Sequence, residues 1–263
     1  MSVLEVRGLS VAYGSGRRAH TVVDDVDLVV PAGTTLGLVG ESGSGKSSIA
    51  AAVVGLVRPS SGAVLVDGID VLAPTPAALT ARRSLQLVFQ DASSALDPRM
   101  TVGASIAEAT RATGRTWTRA ARTARVRELL EAVGIEPRRA DDLPMAFSGG
   151  QRQRITIARA LAGEPSVLVA DEITSALDVS VQGSVLNLLR DLQRELGLTI
   201  LFISHNLAVV RYISDRIAVM RGGRIVECDD TEALLASPSD PYTRDLLAAV
   251  PVLGQRLEDP AQA

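Results

Sequence analysis

Apolar and polar residues follow two different periods along this chain. Near the start, Leu4 and Val6 alternate with Val3, Glu5 and Arg7, and a second extended run covers 21–30 until Pro31-Ala-Gly33 stops it. Together these runs predict an antiparallel β region. Short apolar runs predict further strands at 35–39, 63–66, 85–89, 167–170 and 198–203. Two last strands, 216–220 and 224–227, flank Arg221-Gly-Gly223 as a hairpin turn. The helical period predicts an Ala/Val/Ile-rich helix at 48–56, a short helix at 76–83 and a helical stretch from 92 to 162. Within that stretch Val126, Leu129, Leu130 and Val133 form an i, i+3, i+4, i+7 stripe, and Ser148 opens a helix that Gly163 and Pro165 stop. Short helices from Thr231 and Tyr242 complete the pattern, and 257–263 reads as a frayed end.

The stretch that carries chemistry is Gly40-Glu41-Ser42-Gly43-Ser44-Gly45-Lys46-Ser47, which fits G-x-x-x-x-G-K-[ST] at every fixed position. A predicted strand precedes it and a predicted helix follows from Ser48, the order a phosphate loop requires. Gly43 and Gly45 lack a Cβ, so the backbone can curl with its N–H groups toward phosphates, and the helix N-terminus adds partial positive charge. Lys46 supplies an ammonium for the β and γ phosphates, and Ser47 a hydroxyl for Mg²⁺. Among 27 Lys and Arg residues Lys46 is the only lysine, either a compact charge the site takes over a planar guanidinium or a chance survivor in an Arg-biased chain.

Net charge and cysteine content narrow the classes. A charge of -3 and a pI near 5.5 give no bulk attraction to nucleic acid. The Arg-rich 111–139 stretch with Trp117 is a candidate surface for it, but Arg127/Glu131 and Arg125/Glu128 stand at helical spacing and favour a solvated, locally paired face. Cys228 is the sole cysteine, which rules out an intramolecular disulfide and a cysteine-held cluster and fits a reducing, cytoplasmic setting. No apolar run approaches about 18 residues, and 1–7 lacks the form of a leader, so a chain neither secreted nor membrane-spanning is expected.

Polar residues at predicted strand ends are further candidates, because open α/β sheets collect ligand groups there. They are Gln90 with Asp91, the adjacent carboxylates Asp171 and Glu172, and His205. Of the two carboxylates, one can serve a Mg²⁺ shell while the other faces an attacking water. His20 falls in a Gly/Arg-rich loop and has no evident role. Tyr13 either stacks on an adenine or packs at a turn edge. Ser148-Gly149-Gly150-Gln151 is a second glycine-rich helix start, and its spacing alone does not separate an anion site from a plain cap.

As a set, 40–47, Gln90, 148–151, Asp171-Glu172, 175–178 and His205 resemble an ATP-binding cassette (ABC) ATPase over nearly the whole chain, with Phe147-Ser-Gly-Gly-Gln151 as the signature. The resemblance implies an α/β fold: a P-loop NTPase core, a mixed sheet with an antiparallel β subdomain, and an inserted α-helical signature subdomain. It implies one domain over 1–263, with the core in 1–91 and 164–236, the helical insertion in 92–163, and a C-terminal helix and tail in 237–263. It makes Tyr13 the adenine-stacking ring, Gln90 the Mg²⁺ and γ-phosphate sensor, and Asp171 a Mg²⁺ ligand through water. Glu172 becomes the base that polarises water, and His205 the γ-phosphate switch. Ser148, Gly149, Gly150, Gln151 and Asp178 would reach ATP held on an opposite protomer, itself a second copy or a sister ATPase.

More narrowly, 89–99, 175–182 and 241–247 resemble the oligopeptide, dipeptide and nickel importers. That resemblance implies an ATPase using ATP and Mg²⁺, peripheral on the cytoplasmic face of the membrane. It would drive two integral-membrane permease subunits, serve an extracytoplasmic substrate-binding protein indirectly, and need no nucleic acid. Ala92 and Ile173 stand where the family usually has proline, Phe147 where leucine is usual, and Asn206 where aspartate follows the histidine; none removes a phosphate or metal ligand. The alternative in another class is a soluble cassette acting on nucleic acid or the ribosome. A small-molecule kinase or GTPase fits less well, since the signature argues against it and Asn-Lys-x-Asp is absent.

Overall fold

Two sheets organise the fold, which is taken from a computed structural model that describes residues 2–14, 20–91 and 95–249. The first is antiparallel in the order β2 (His20–Val30), β1 (Leu4–Tyr13), β4 (Ser61–Val66), β5 (Ile69–Asp70). The second runs β10 (Arg224–Asp230), β9 (Arg216–Arg221), β3 (Thr35–Val39), β8 (Thr199–Ile203), β7 (Val167–Asp171), β6 (Leu85–Val88). Its neighbours from β9 to β6 are parallel, and β10 closes the edge antiparallel.

The strand pattern follows from burial. β3 and β8 are buried at every residue, as continuous apolar runs require when both faces of a sheet are covered. Successive residues of the parallel strands alternate between two cores. Val169, Leu201, Ile203, Ala218 and Met220 pack with the antiparallel sheet and α1 (Lys46–Val53). Leu168, Ala170, Ile200, Phe202 and Val219 pack instead with the helical side of the molecule. That side contains α3 (Val102–Ala109), α4 (Arg119–Ala132) and α5 (Gly149–Leu161), while α2 (Pro76–Arg83) lies beside the first core. The predicted stripe Val126, Leu129, Leu130, Val133 is buried there.

The arginines of this region are largely paired: Arg125 with Glu128 at 2.7 Å, Arg139 with Asp142 at 2.8 Å, Arg138 with Glu136 at 2.8 Å, and Arg115 with Glu164. Among the described residues the expected Arg127–Glu131 pair does not form. Arg119, Arg122 and Arg127 form no ion pair among the described residues, so the face is neutralised only in part.

Several boundaries differ from the sequence reading. The helix after the phosphate loop starts at Lys46 rather than 48 and ends at Val53, because Gly45 in a left-handed conformation already serves as its N-cap. His20 is not in a loop but opens β2, opposite Tyr13. The reading also lacks α6 (Val179–Leu196) and α7 (Leu207–Ile213), which precede α8 (Thr231–Ala236) and α9 (Pro241–Ala248). Signals for α6 were present: Asp178 as N-cap, a buried Val185, Leu189, Leu192 stripe, and Gly197 left-handed at the C-cap. Residue 92 and the 257–263 end fall outside the described residues. No helix among the described residues is long and apolar enough to cross a membrane.

One glycine inside a strand is fixed by packing. Helix α7 lies so close to β3 that a Cβ at Gly37 would overlap Val210 and Ser214. Gly37→Ala is therefore expected to cost about 1–3 kcal/mol of stability by overpacking, read as a lower urea midpoint with an unchanged slope.

Candidate functional site

The phosphate loop turns through Gly43 (φ 80°) and Gly45 (φ 109°), and α1 begins with no side-chain cap on its first amides. Those N–H groups are free to meet an anion. The β9–β10 hairpin supports the loop from behind. The amide of Gly223 donates to the Ser44 carbonyl at 3.1 Å. A Cβ at Gly40 would overlap the Met220 carbonyl, and one at Gly45 would come within 2.7 Å of the Val22 carbonyl and 2.8 Å of the Met220 methyl.

Lys46 is 5% exposed. Its Nζ donates to the carbonyls of Gly40 at 2.8 Å and Glu41 at 2.7 Å, and to Ser44 Oγ at 3.3 Å. Burial pushes the ammonium's pKa down, opposed by the carboxylates of Glu172, Asp171 and Glu41.

Three adjacent parallel strands deliver the polar residues. Asp171 ends β7 and Glu172 follows, while β6 and β8 lead to Gln90 and His205. Glu172 sits at φ 49°, held by its amide on the Ile203 carbonyl at 2.9 Å, and its Oε1 is 3.1 Å from His205 Nδ1. Gln90 Nε2 donates to Ser175 Oγ at 3.2 Å, and Ser175 Oγ donates to the Glu172 carbonyl at 2.9 Å. Lys46, Ser47, Ser48, Gln90 and Glu172 line one cavity of about 320 Å³.

Asp171 tests the site for a cation. Burial raises its pKa, against a hydrogen bond from Ser47 that lowers it; the Glu172 charge adds to the rise. Its Oδ1 is buried with no hydrogen-bond partner. A buried carboxylate oxygen without a donor, beside a serine hydroxyl, fits hydrated Mg²⁺, which is held by one or two protein oxygens and substrate phosphates rather than a protein cage.

Tyr13 ends β1 with a half-exposed ring and its hydroxyl 3.2 Å from Ser48 Oγ, at the mouth of the loop rather than buried on the sheet. Ser148 caps α5 in a reciprocal box with Gln151, at 3.0 and 3.3 Å. Asp178 caps α6 through the Val181 amide at 2.9 Å and Ser180 Oγ at 2.7 Å, bonds that lower its pKa. Neither 148–151 nor Asp178 lines the cavity beside Lys46. The two signature glycines differ. Gly150 has no room for a Cβ beside Val181, whereas at Gly149 the nearest atom is Leu177 Cδ2 at 3.8 Å, so packing within this chain explains only the first.

The sequence places the hairpin turn at 221–223 and a helix from Tyr242, but not their contacts with the phosphate loop: the Gly223 amide on the Ser44 carbonyl, and the Tyr242 hydroxyl, which accepts from the Glu41 amide at 3.1 Å. The helical pattern and the resemblance of 241–247 to importers pointed to that segment, but not to its place beside the loop.

The ABC transporter family model matches residues 23–175, a span from β2 through the phosphate loop, the signature and both carboxylates. The chain belongs to the ABC transporter family. A Brucella ovis protein named a peptide import ATP-binding protein is 48% identical over 250 residues, covering 95% of this chain and 78% of its own. A Sinorhizobium fredii protein named a peptide ABC transporter ATP-binding protein is 50% identical over 242 residues, covering 92% and 67%. Among solved structures, a dimeric ATP-binding cassette bound to ADP and Pi superposes with a TM-score of 0.75 at 28% identity, covering 87% of this chain and 98% of that one. The cassette cbiO1 of Clostridium perfringens, part of an ABC transporter complex, superposes at 0.78 with 27% identity, covering 89% and 90%. The expected P-loop α/β core with its antiparallel sheet and helical insertion is the fold of this cassette.

The raised pKa of Asp171 has a consequence for stability. A folded-state pKa above the unfolded value means that its contribution is full below the unfolded pKa and is lost as pH rises through the folded one. Asp171→Asn, neutral throughout, is expected to melt about 2–4 °C higher than the parent at pH 7 without nucleotide. Differential scanning calorimetry should show the gap shrinking as pH falls toward the carboxylate range.

Proposed function

We propose that this chain is the ATP-hydrolysing subunit of an importer for peptides, with nickel as the other substrate its motifs allow. The observation that carries the reading is the convergence of Lys46, Ser47, Gln90 and Glu172 on one cavity at the N-terminus of α1. Phosphoryl transfer to water needs positioning and charge neutralisation rather than a covalent nucleophile, and these groups supply both.

In this reading the amides of 40–48 and the Lys46 ammonium bind the β and γ phosphates while Tyr13 stacks on adenine. Ser47 and Asp171 would hold Mg²⁺, with Gln90 beside it; when bound, the ion offsets phosphate charge. Glu172 orients the attacking water and accepts its proton, and His205, already 3.1 Å from Glu172, contacts the γ-phosphate. The exposed start of α5, with an open Gly149, and Asp178 with the adjoining exposed Val179 complete the site of an opposing protomer in trans. That protomer is a second copy or a sister ATPase. Two membrane permeases are the coupled partners, with an extracytoplasmic binding protein acting through them, and the chain works peripherally on the cytoplasmic face. The names of its relatives favour peptide import over a role on nucleic acid or the ribosome.

Detergent co-purification tests the assignment: recovery of integral-membrane permeases supports it, and recovery of ribosomes or DNA instead removes it. For the chemistry, Lys46→Ala is expected to lose ATP binding by calorimetry. Glu172→Gln is expected to lower kcat by about 10²–10⁴ while retaining ATP in a dimer seen by size exclusion.

A further inference from the structure

The one-peptide link between Tyr242 and Lys46 has no counterpart in the phosphate-loop motif. Tyr242 lies 201 residues beyond Glu41, yet its hydroxyl accepts from the Glu41 amide at 3.1 Å. That N–H belongs to the same planar peptide as the Gly40 carbonyl, which accepts from Lys46 Nζ at 2.8 Å. One rigid unit is thus pinned at both ends, by a phenol from α9 and by the ammonium of the loop.

The phenol is firmly held. Its ring is buried, with the Arg221 guanidinium stacked 4.8 Å from its centre. The start of α9 is tied to β10 by the Glu227 carboxylate, which accepts from Ser239 N at 2.7 Å, Ser239 Oγ at 2.9 Å and Asp240 N at 3.1 Å. Burial also raises the phenol's pKa, so it stays a neutral acceptor.

We propose that Tyr242 is a positioning residue for Lys46, fixing the 40–41 peptide so that the loop is shaped for phosphates before nucleotide arrives. Helix α9 is then a working part of the nucleotide site rather than a packed end. The benefit is preorganisation: without the phenol the loop must be ordered on binding, which weakens affinity. The inference rests on the loop being the ATP site.

The test is Tyr242→Phe, which keeps the ring and its cation contact and deletes only the hydroxyl. Affinity for ATP is measured by calorimetry, KM and kcat by turnover, and nucleotide-free melting by scanning calorimetry. The expected result is melting close to the parent with ATP bound about 3–10-fold more weakly, a loss falling mainly on KM. Parent-like affinity overturns the proposal. If the parent itself binds no ATP, the nucleotide reading fails instead, so the two failures are distinct. Should Tyr242→Phe melt far below the parent, Glu227→Ala takes its place, removing all three acceptor contacts that tie the start of α9 without touching the loop; weaker ATP binding there supports the proposal, and unchanged affinity overturns it.

Discussion

Lys46 is a buried cation with no carboxylate bonded to it among the described residues, and much of the fold serves to keep it there charged. Backbone carbonyls and a serine hydroxyl solvate the ammonium, while Asp171, Glu172 and Glu41 act on it only through their fields. A direct salt bridge would have neutralised the ammonium; neutral oxygens leave its charge available to the cavity. Holding those oxygens in place requires the loop to lie against β9 with only hydrogens at Gly40 and Gly45, and that close approach ties the 40–47 loop to the β9–β10 hairpin.

The parallel sheet extends the same economy to the acidic residues. Because β6, β7 and β8 are neighbours, residues from three distant segments reach one edge without long loops. Glu172 departs from extended geometry there, and its left-handed backbone turns the side chain toward His205 while Asp171 remains beside Ser47. Adjacent carboxylates thus come to occupy different surroundings, one facing the cavity and the other desolvated.

What could be read beforehand was local. The loop announces itself because its fixed residues are contiguous, and β3, β7 and β8 because buried strands are unbroken apolar runs. Gln90, Asp171, Glu172 and His205 were legible as strand ends, which a single sheet brings together. Helix α6 was legible as well, from its Asp178 cap, its Val185, Leu189, Leu192 stripe and Gly197, although the sequence reading stops at Asp178. The Tyr242–Glu41 bond spans too much chain for any local pattern to announce. Gly149 and Gly150 look alike in sequence, and only the proximity of Val181 separates a packing requirement from an open position.

The solitude of Lys46 also makes the molecule self-reporting. An endoprotease specific for lysine has a single target, the 46–47 bond, and that bond lies in the first turn of α1 under a buried side chain. Cleavage therefore tracks how often the cradle opens, and one cut leaves two fragments whose sizes are known in advance.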